Sequence, residues 1–253
     1  MRDLGCETIR GMTSPDASLT VQTHDGRRMP AFVARPESGA GPGLVLLQEI
    51  YGVTDYIKSR ARDLARMGYV VVAPELYWRL GPNVTTDETS ESGLQEAFGY
   101  FSRLDVPQAV DDAVATLEHV RAMPETHGRA GVLGFCLGGR LAYEVGVRST
   151  PDVVVSYYGS GIADRLEDAP SLQAPVIFHF GGADEYLPPQ QVEQIRQRFQ
   201  ERTDAEVHVY PGAGHAFDNF RAPMFHRPDA AQASWPRTVA FLERQFPPNP
   251  ARA

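Results

Sequence analysis

The sequence predicts a single α/β domain in which helices cover both faces of a mostly parallel sheet. Short, continuously apolar runs such as 44–47 and 69–73 are typical of buried parallel strands. Longer amphipathic stretches such as 106–123 alternate with these runs and predict helices. No linker rich in proline or serine divides the 253 residues, so we expect one domain with a core over about 18–246.

The elements can be assigned in order along the chain. Strands at 19–23 and 29–34 are expected to form a hairpin around the turn at Asp25-Gly26. Further strands are predicted at 44–47, 69–73, 130–133, 153–155, 176–178 and 206–210. Helices are predicted at 56–67, 106–123, 139–147, 190–202 and 230–244. The polar segment 79–104 predicts a partly helical excursion over one end of the sheet, and the first 18 and last seven residues are expected to be loose.

Composition and charge exclude several classes of function. The net charge of −8, from 24 basic and 32 acidic residues, argues against nucleic acid as a partner. No apolar run approaches the length of a membrane span, and the N-terminus lacks the apolar core of a signal peptide, so we expect a cytoplasmic protein. The seven histidines lack metal-ligand spacing, and we expect no metal site. A disulfide between Cys6 and Cys136 is the less favoured alternative to free thiols.

The sharpest local signal is the stretch GFCLGG at 134–139, which follows an apolar strand and precedes a helical pattern. This order matches a nucleophile elbow with cysteine in place of the more usual serine. The elbow places Cys136 at a helix N-terminus, where the dipole favours a thiolate, and the N–H of Leu137 is expected to face a developing oxyanion. The alternative is a glycine-rich turn that holds a structural cysteine.

Two further residues follow predicted strands in the order expected for the partners of such a nucleophile. Asp184 comes after the strand around 176–180, and His215 comes after the strand 206–210. Each alone has a simpler reading, as a turn aspartate or an exposed loop histidine. Together they predict a triad in which Cys136 attacks a carbonyl carbon, His215 carries the proton and Asp184 orients the imidazole.

A carboxylate also follows the strand 44–47. Glu49 is expected to lie beside the thiol, although a turn glutamate without a role is equally consistent with the sequence. The loop after this strand usually supplies the second oxyanion donor, which here is the N–H of Ile50.

These motifs resemble the dienelactone hydrolase family of α/β-hydrolases over nearly the whole chain. The stretches that carry the resemblance are LQEIYG at 47–52, PELY at 74–77, GFCLGG at 134–139, YYG at 157–159, GAD at 182–184 and GAGH at 212–215. The resemblance implies an α/β-hydrolase fold and the hydrolysis of an enol-lactone by a thiol nucleophile without a cofactor. It also implies that Glu49 holds and helps to ionise the thiol when substrate binds.

The resemblance further implies a substrate carboxylate held by two arginines. One matches Arg79, for which a solvated surface arginine is the alternative. The other position is occupied by Asn219, which cannot replace the charge, so weaker selectivity for anionic lactones or a neutral substrate is expected. Nearby Asp218 adds a negative charge. Tyr158, or its neighbour Tyr157, is expected to line the pocket, with a packed core tyrosine as the alternative.

Three functions remain open on sequence grounds. The preferred one is a hydrolase of lactones or carboxylic esters that acts on a small molecule through a thioester acyl-enzyme. A general esterase for small esters is the alternative within enzymes. A non-catalytic binding protein, or a redox sensor that uses Cys136, is the alternative from another class. The sequence leaves open whether the protein is a monomer or a dimer.

Overall fold

The computed structural model describes residues 16–248, which contain one eight-stranded sheet in the order β1-β2-β4-β3-β5-β6-β7-β8. The strands are β1 Asp16–Gln22, β2 Arg28–Ala34, β3 Gly43–Leu47, β4 Val70–Pro74, β5 Ala130–Phe135, β6 Val154–Tyr157, β7 Val176–Gly181 and β8 Ala205–Tyr210. The pairings β1–β2 and β2–β4 are antiparallel, and the other five are parallel. This arrangement confirms the predicted α/β class.

Helices cover both faces of the sheet. They are α1 Asp55–Arg66, α2 Glu91–Phe101, α3 Val106–Ala122, α4 Leu137–Arg148, α5 Pro189–Phe199 and α6 Pro228–Gln245, with short 3-10 helices at Pro124–Thr126 and Ala163–Ser171. Alternate residues of β3 enter different cores: Val45 and Leu47 pack on the side of α3 and α4, whereas Leu44 and Leu46 pack on the side of α1 and α6. Burial on both faces explains why this strand is apolar throughout.

The polar excursion is partly helical, as predicted, because α2 occupies part of it. Other element boundaries differ from the predictions. Helix α4 begins at Leu137, directly after the cysteine, instead of at 139. Residues 16–18 were expected to be loose but pair with β2, because Asp16 lies opposite Ala34 in the ladder. Residues 1–15 and 249–253, and with them Cys6, lie outside the described part of the chain.

The sheet brings the candidate site together at one edge. In a parallel sheet the loops after the strands meet at the carboxyl end, where ligands bind. The loops after β3, β5, β7 and β8 carry Glu49, Cys136, Asp184 and His215 respectively. Glu49, Cys136 and His215 border one cavity at this edge, and Asp184 lies behind His215.

Candidate active site

Cys136 occupies a sharp turn between β5 and α4. Its φ of 55° and ψ of −115° are unusual for a residue with a side chain and represent stored backbone strain. The flanking glycines allow the turn: a Cβ on Gly134 would lie 2.0 Å from the carbonyl oxygen of Gly138, and a Cβ on Gly138 would lie 2.2 Å from that of Leu47. The glycines are therefore required by close backbone approach, as the motif predicted.

The structure places the three predicted triad residues in one hydrogen-bonded chain. His215 Nε2 lies 3.0 Å from Cys136 Sγ, and His215 Nδ1 lies 2.8 Å from Asp184 Oδ2. The other carboxylate oxygen of Asp184 accepts the backbone N–H of Tyr186 at 2.8 Å, which fixes the carboxylate. His215 and Asp184 are buried. This is the geometry of a nucleophile, a base and an orienting acid.

Charge at the triad favours the protonated imidazole. Burial alone would lower the pKa of His215, but the facing Cys136 sulfur and the hydrogen-bonded Asp184 carboxylate raise this pKa above its ordinary value. An imidazolium between a carboxylate and a sulfur stabilises negative charge on that sulfur. The arrangement can therefore supply a thiolate nucleophile at the cavity.

Glu49 is buried beside the triad and borders the same cavity. Its Oε1 accepts the hydroxyl of Tyr158 at 3.1 Å, and its Oε2 accepts the side-chain N–H of Asn219 at 2.6 Å. Burial raises the pKa of Glu49 to about 8, against the opposing effect of the Asn219 hydrogen bond. The carboxyl group therefore changes charge within the range in which hydrolases work.

The two predicted oxyanion donors also border the cavity. Leu137 is the first residue of α4, so helix geometry leaves its N–H without an intrahelical acceptor. The next N–H, that of Gly138, is already used by the carbonyl of Gln48 at 2.9 Å. Ile50 lies on the opposite loop, directly after Glu49. Both backbone segments therefore border the space in which an acyl oxygen would bind.

The cavity has a volume of about 260 Å³, and its wall is largely apolar. Helix α2 contributes three side chains to this wall and so encloses the site. The residues that line the cavity are Glu49, Ile50, Tyr51, Leu94, Phe98, Phe101, Cys136, Leu137, Arg140, Ser160, Gly161, Tyr186, His215, Ala216 and Phe225. Such a surface suits an uncharged organic ligand.

Arg79 lies elsewhere, contrary to the prediction that it contacts substrate. Its guanidinium forms two hydrogen bonds to Asp112, of 3.0 and 2.8 Å, and a third of 2.7 Å to Asp25. The charge is thus neutralised by carboxylates on α3 and in the β1–β2 turn. Arg79 is absent from the cavity wall.

Tyr158 and Asn219 also differ from their predicted roles. Both side chains are fully buried behind Glu49, to which they donate, and neither lines the cavity. Asp218 was expected to add negative charge near an anion. Instead Arg60 binds it through Nε at 2.9 Å and Nη2 at 2.8 Å, and the hydroxyl of Tyr56 donates to it at 2.6 Å. The charge of Asp218 is therefore neutralised by Arg60 and is not available to a ligand in the cavity.

Several residues of the site belong to none of the sequence motifs that predicted it. Leu94 and Phe98 reach the cavity from α2, whose glycine-containing sequence belongs to no motif. Arg140 borders the cavity one helical turn after Cys136, a relationship that the helical period makes visible. Its Nε is engaged by Glu144 at 2.7 Å. Glu88 lies behind Asn219, 39 positions after Glu49 in the sequence, and only the folded chain reveals that proximity.

Other features of the described chain bear on cofactors and membranes. Between residues 16 and 248 the structure contains no group of three or more histidine, cysteine, aspartate or glutamate side chains that could hold a metal ion. No helix in this same stretch is long and apolar enough to span a lipid bilayer.

Comparisons with known proteins agree with the fold and the motifs. The dienelactone hydrolase family model matches residues 29–246. Carboxymethylenebutenolidase 1 of Cupriavidus pinatubonensis is 32% identical over 224 residues, which cover 88% of this chain and 95% of that protein. Carboxymethylenebutenolidase of Pseudomonas sp. strain P51 is 34% identical over 229 residues, which cover 90% and 95% of the two chains.

A solved structure gives the same result. A candidate dienelactone hydrolase from Klebsiella pneumoniae subsp. pneumoniae superposes with a TM-score of 0.75 at 28% identity, and the match covers 91% of this chain and all of the other. The family match spans most of the chain, and the relatives are matched over nearly their whole length. This chain therefore belongs to the dienelactone hydrolase family and is a carboxylic-ester hydrolase.

Proposed function

We propose that the protein hydrolyses lactones and small carboxylic esters by covalent catalysis through Cys136. The observation that carries this proposal is the hydrogen-bonded chain from Cys136 Sγ through His215 to Asp184, at 3.0 and 2.8 Å. A structural cysteine in a glycine-rich turn has no need of a buried imidazole and a buried carboxylate in line with its sulfur. The same chain argues against a non-catalytic binding protein.

The reaction follows from these positions. The Cys136 thiolate forms an S–C bond to the acyl carbon, and the N–H groups of Leu137 and Ile50 stabilise the oxyanion. The C–O bond then breaks, and His215 gives its proton to the leaving oxygen, which leaves a thioester. A water molecule gives its proton to His215 and attacks the thioester carbon. The C–S bond breaks, the acid departs and the thiolate is restored.

Glu49 has a separate part in this proposal. It borders the cavity but forms no hydrogen bond with Cys136, whose sulfur faces His215. We assign to Glu49 the task that the family resemblance implies, namely to hold the thiol and help to ionise it when substrate enters. A carboxyl group with a pKa of about 8 can both accept and return a proton near neutral pH.

The cavity wall supports an uncharged substrate. Among the described residues of the wall, His215 and Arg140 can carry positive charge; His215 is bonded to Asp184, and the Nε of Arg140 is bonded to Glu144. The wall is otherwise built mainly from aliphatic and aromatic side chains, so an unpaired carboxylate there would lose its hydration without compensation. The relatives named carboxymethylenebutenolidase indicate a lactone ring. We therefore propose a neutral lactone or a small neutral ester as the substrate.

The thioester provides the direct test. Wild-type protein is mixed with p-nitrophenyl acetate, quenched in acid within milliseconds and analysed by peptide mass spectrometry. An acetyl group on the peptide that contains Cys136, and its absence in Cys136→Ala, is the expected result. Acetylation at another residue, together with full turnover by Cys136→Ala, would contradict the proposal. Surface variant Gln197→Ala serves as the control, since this glutamine is exposed on α5.

A further inference from the structure

A second buried carboxyl group lies behind Glu49. Glu88 belongs to the segment that precedes α2 and is 5% exposed. Its Oε2 accepts the hydroxyl of Thr54 at 2.7 Å, and its Oε1 accepts the backbone N–H of Tyr56 at 3.3 Å. These two bonds attach Glu88 to the N-terminal end of α1, so its position is fixed by the fold.

Asn219 connects the two carboxyl groups. Its Nδ2 donates to Glu49 Oε2 at 2.6 Å and to Glu88 Oε2 at 3.4 Å. The orientation of this amide is determined by its other end, because Oδ1 accepts the backbone N–H groups of Arg221 at 2.9 Å and Ala222 at 3.1 Å. A reversed amide would place its oxygen against two carboxyl groups and lose both of those bonds. Both N–H groups of Asn219 therefore serve the two glutamates.

Two buried carboxyl groups that share one amide nitrogen do not carry equal charge. Glu88 receives hydrogen bonds from a hydroxyl, a backbone N–H and Asn219, and the Arg221 guanidinium lies 3.9 Å away. Glu49 receives two donors and has no arginine partner of this kind. The negative charge is better supported on Glu88, and like charges in one site oppose double ionisation. The proton therefore stays on Glu49.

We propose that Glu88 is a positioning residue of this active site, which acts on Glu49 through the amide of Asn219. The shared amide keeps the carboxyl group of Glu49 oriented, and the negative charge of Glu88 keeps it protonated until substrate enters, although Glu88 does not touch the cavity. This inference rests on the proposed thiol mechanism, because it assigns Glu88 a role through Glu49. Glu88 is absent from the wall of the catalytic cavity and borders a shallow surface depression on the other side of Asn219.

The charged and titratable groups around the pair define the electrostatic setting. Those near Glu49 are His215, Tyr158, Tyr56, Cys136, Tyr51 and Glu88. Those that surround Glu88 at the depression are Asp55, Lys58, Asp87 and Arg221, with Glu49 on the inner side. The uncharged side chain of Asn219 joins Glu88 to Glu49 by direct hydrogen bonds. Burial raises the pKa of Glu88 as well, and its donors and Arg221 work against this.

Glu88→Gln tests the inference, because glutamine keeps the shape and an acceptor for Thr54 but removes the charge. Asp87→Asn is the matched control, since Asp87 is the adjacent carboxylate, is exposed and has its hydrogen bonds with the neighbouring residues Thr89 and Ser90. The first readout is the titration of the Glu49 side-chain carbon by ¹³C NMR, assigned with Glu49→Gln. The second is the pH profile of kcat/KM for p-nitrophenyl acetate.

In Glu88→Gln we expect the Glu49 midpoint to fall by about half a pH unit or more, since a facing negative charge is removed. The alkaline rise of kcat/KM should move down by the same amount, while KM on the plateau stays within about twofold. Asp87→Asn should leave both midpoints in place. Glu88→Asp, which restores the charge, should return the midpoint toward that of the wild type.

Midpoints in Glu88→Gln that match those of Asp87→Asn in both readouts would overturn the inference. That failure is separate from failure of the proposed function, because the NMR titration needs no turnover. If Cys136→Ala keeps wild-type activity, the thiol mechanism is wrong and the role assigned to Glu88 falls with it. If Cys136→Ala is inactive and the Glu49 midpoint ignores Glu88, only the present inference is wrong.

Discussion

The side-chain amide of Asn219 donates a 2.6 Å hydrogen bond to Glu49 at the position where the family resemblance implies an arginine that binds substrate. Asn219 is fully buried behind Glu49 and does not itself line the cavity. A neutral donor here supports the carboxylate form of Glu49 without supplying a cation to a ligand. The relationship links two properties of the site: the charge preference for substrate and the proton affinity of Glu49.

Removal of this donor should shift the pH dependence of the reaction. In Asn219→Ala, Glu49 loses the hydrogen bond that favours its ionised form, so its pKa rises further above about 8. We expect the alkaline rise of kcat/KM to move to higher pH and the rate at pH 7 to fall about tenfold. A pH profile from 6 to 10 measures both. A downward move of the rise would contradict the role given to Asn219.

Folding stability should depend on Glu49. Its pKa is raised from 4.5 to about 8, so between these values the folded protein holds a proton that the unfolded chain releases. The resulting stability is complete below pH 4.5 and is lost as pH rises through about 8. Glu49→Gln lacks this dependence. Its Tm relative to the wild type should therefore increase from pH 5 to pH 9, by an amount equivalent to a few kcal/mol.

Calorimetry or thermal melts over this pH range provide the measurement. Glu37→Gln, at an exposed position in the loop after β2, is the control for the effect of the substitution itself. A Tm difference for Glu49→Gln that does not vary with pH would mean that Glu49 is charged in the folded protein at neutral pH.

Arg79 should contribute to stability and not to substrate binding. Its bidentate partner Asp112 is almost fully buried and would be left without its cation in Arg79→Ala. Trp78 and Gln108 still donate to Asp112, so we expect a loss of about 2 kcal/mol in the free energy of unfolding. Urea denaturation measures this loss. KM should be unchanged, and a tenfold rise in KM for an anionic lactone would restore the role predicted from the sequence.

The apolar wall should discriminate against charge on the substrate. Dienelactone and the methyl ester of its carboxyl group form a matched pair that differs mainly in charge. We expect wild-type kcat/KM to be at least about tenfold higher for the methyl ester, since the cationic side chains of the wall, His215 and Arg140, are already bonded to protein carboxylates. A preference for the acid would contradict the neutral-substrate proposal.

A cation placed in the wall should reverse this preference. Leu94 faces the cavity from α2, so Leu94→Arg introduces a guanidinium beside the bound ligand. We expect kcat/KM for dienelactone to rise and that for its methyl ester to fall. Leu94→Met keeps the wall apolar and should retain the wild-type preference. Equal effects of the two variants would show that the charge of the wall is not decisive.

The fold and the triad positions were accessible from the sequence because both depend on local patterns. Apolar runs identify strands that are buried on both faces, and a glycine pattern such as that around Cys136 reports close backbone approach that leaves few alternatives. Asp184 and His215 follow strands that end at the same edge of the sheet, so the topology brings them together. The positions of Asp184 and His215 at strand ends therefore made them predictable from the sequence.

The surroundings of the substrate could not be predicted from local sequence patterns. Arg79 is paired with Asp112, 33 positions away on α3, and no local pattern indicates that contact. Helix α2 contains Gly93 and Gly99, which lower helix propensity, and its contribution to the cavity wall depends on tertiary packing. The same applies to Glu88, whose link to Glu49 passes through Asn219. Such contacts are set by the whole fold.

The nucleophilic role of Cys136 can be measured as kcat/KM for wild-type protein and Cys136→Ala on dienelactone methyl ester, with p-nitrophenyl acetate as a second substrate. The wild type should cleave both, and the variant should lose at least about 10³-fold on each, because no other group replaces the thiolate at the elbow. Wild-type rates in Cys136→Ala would contradict the nucleophilic role and leave the sulfur a structural or redox role.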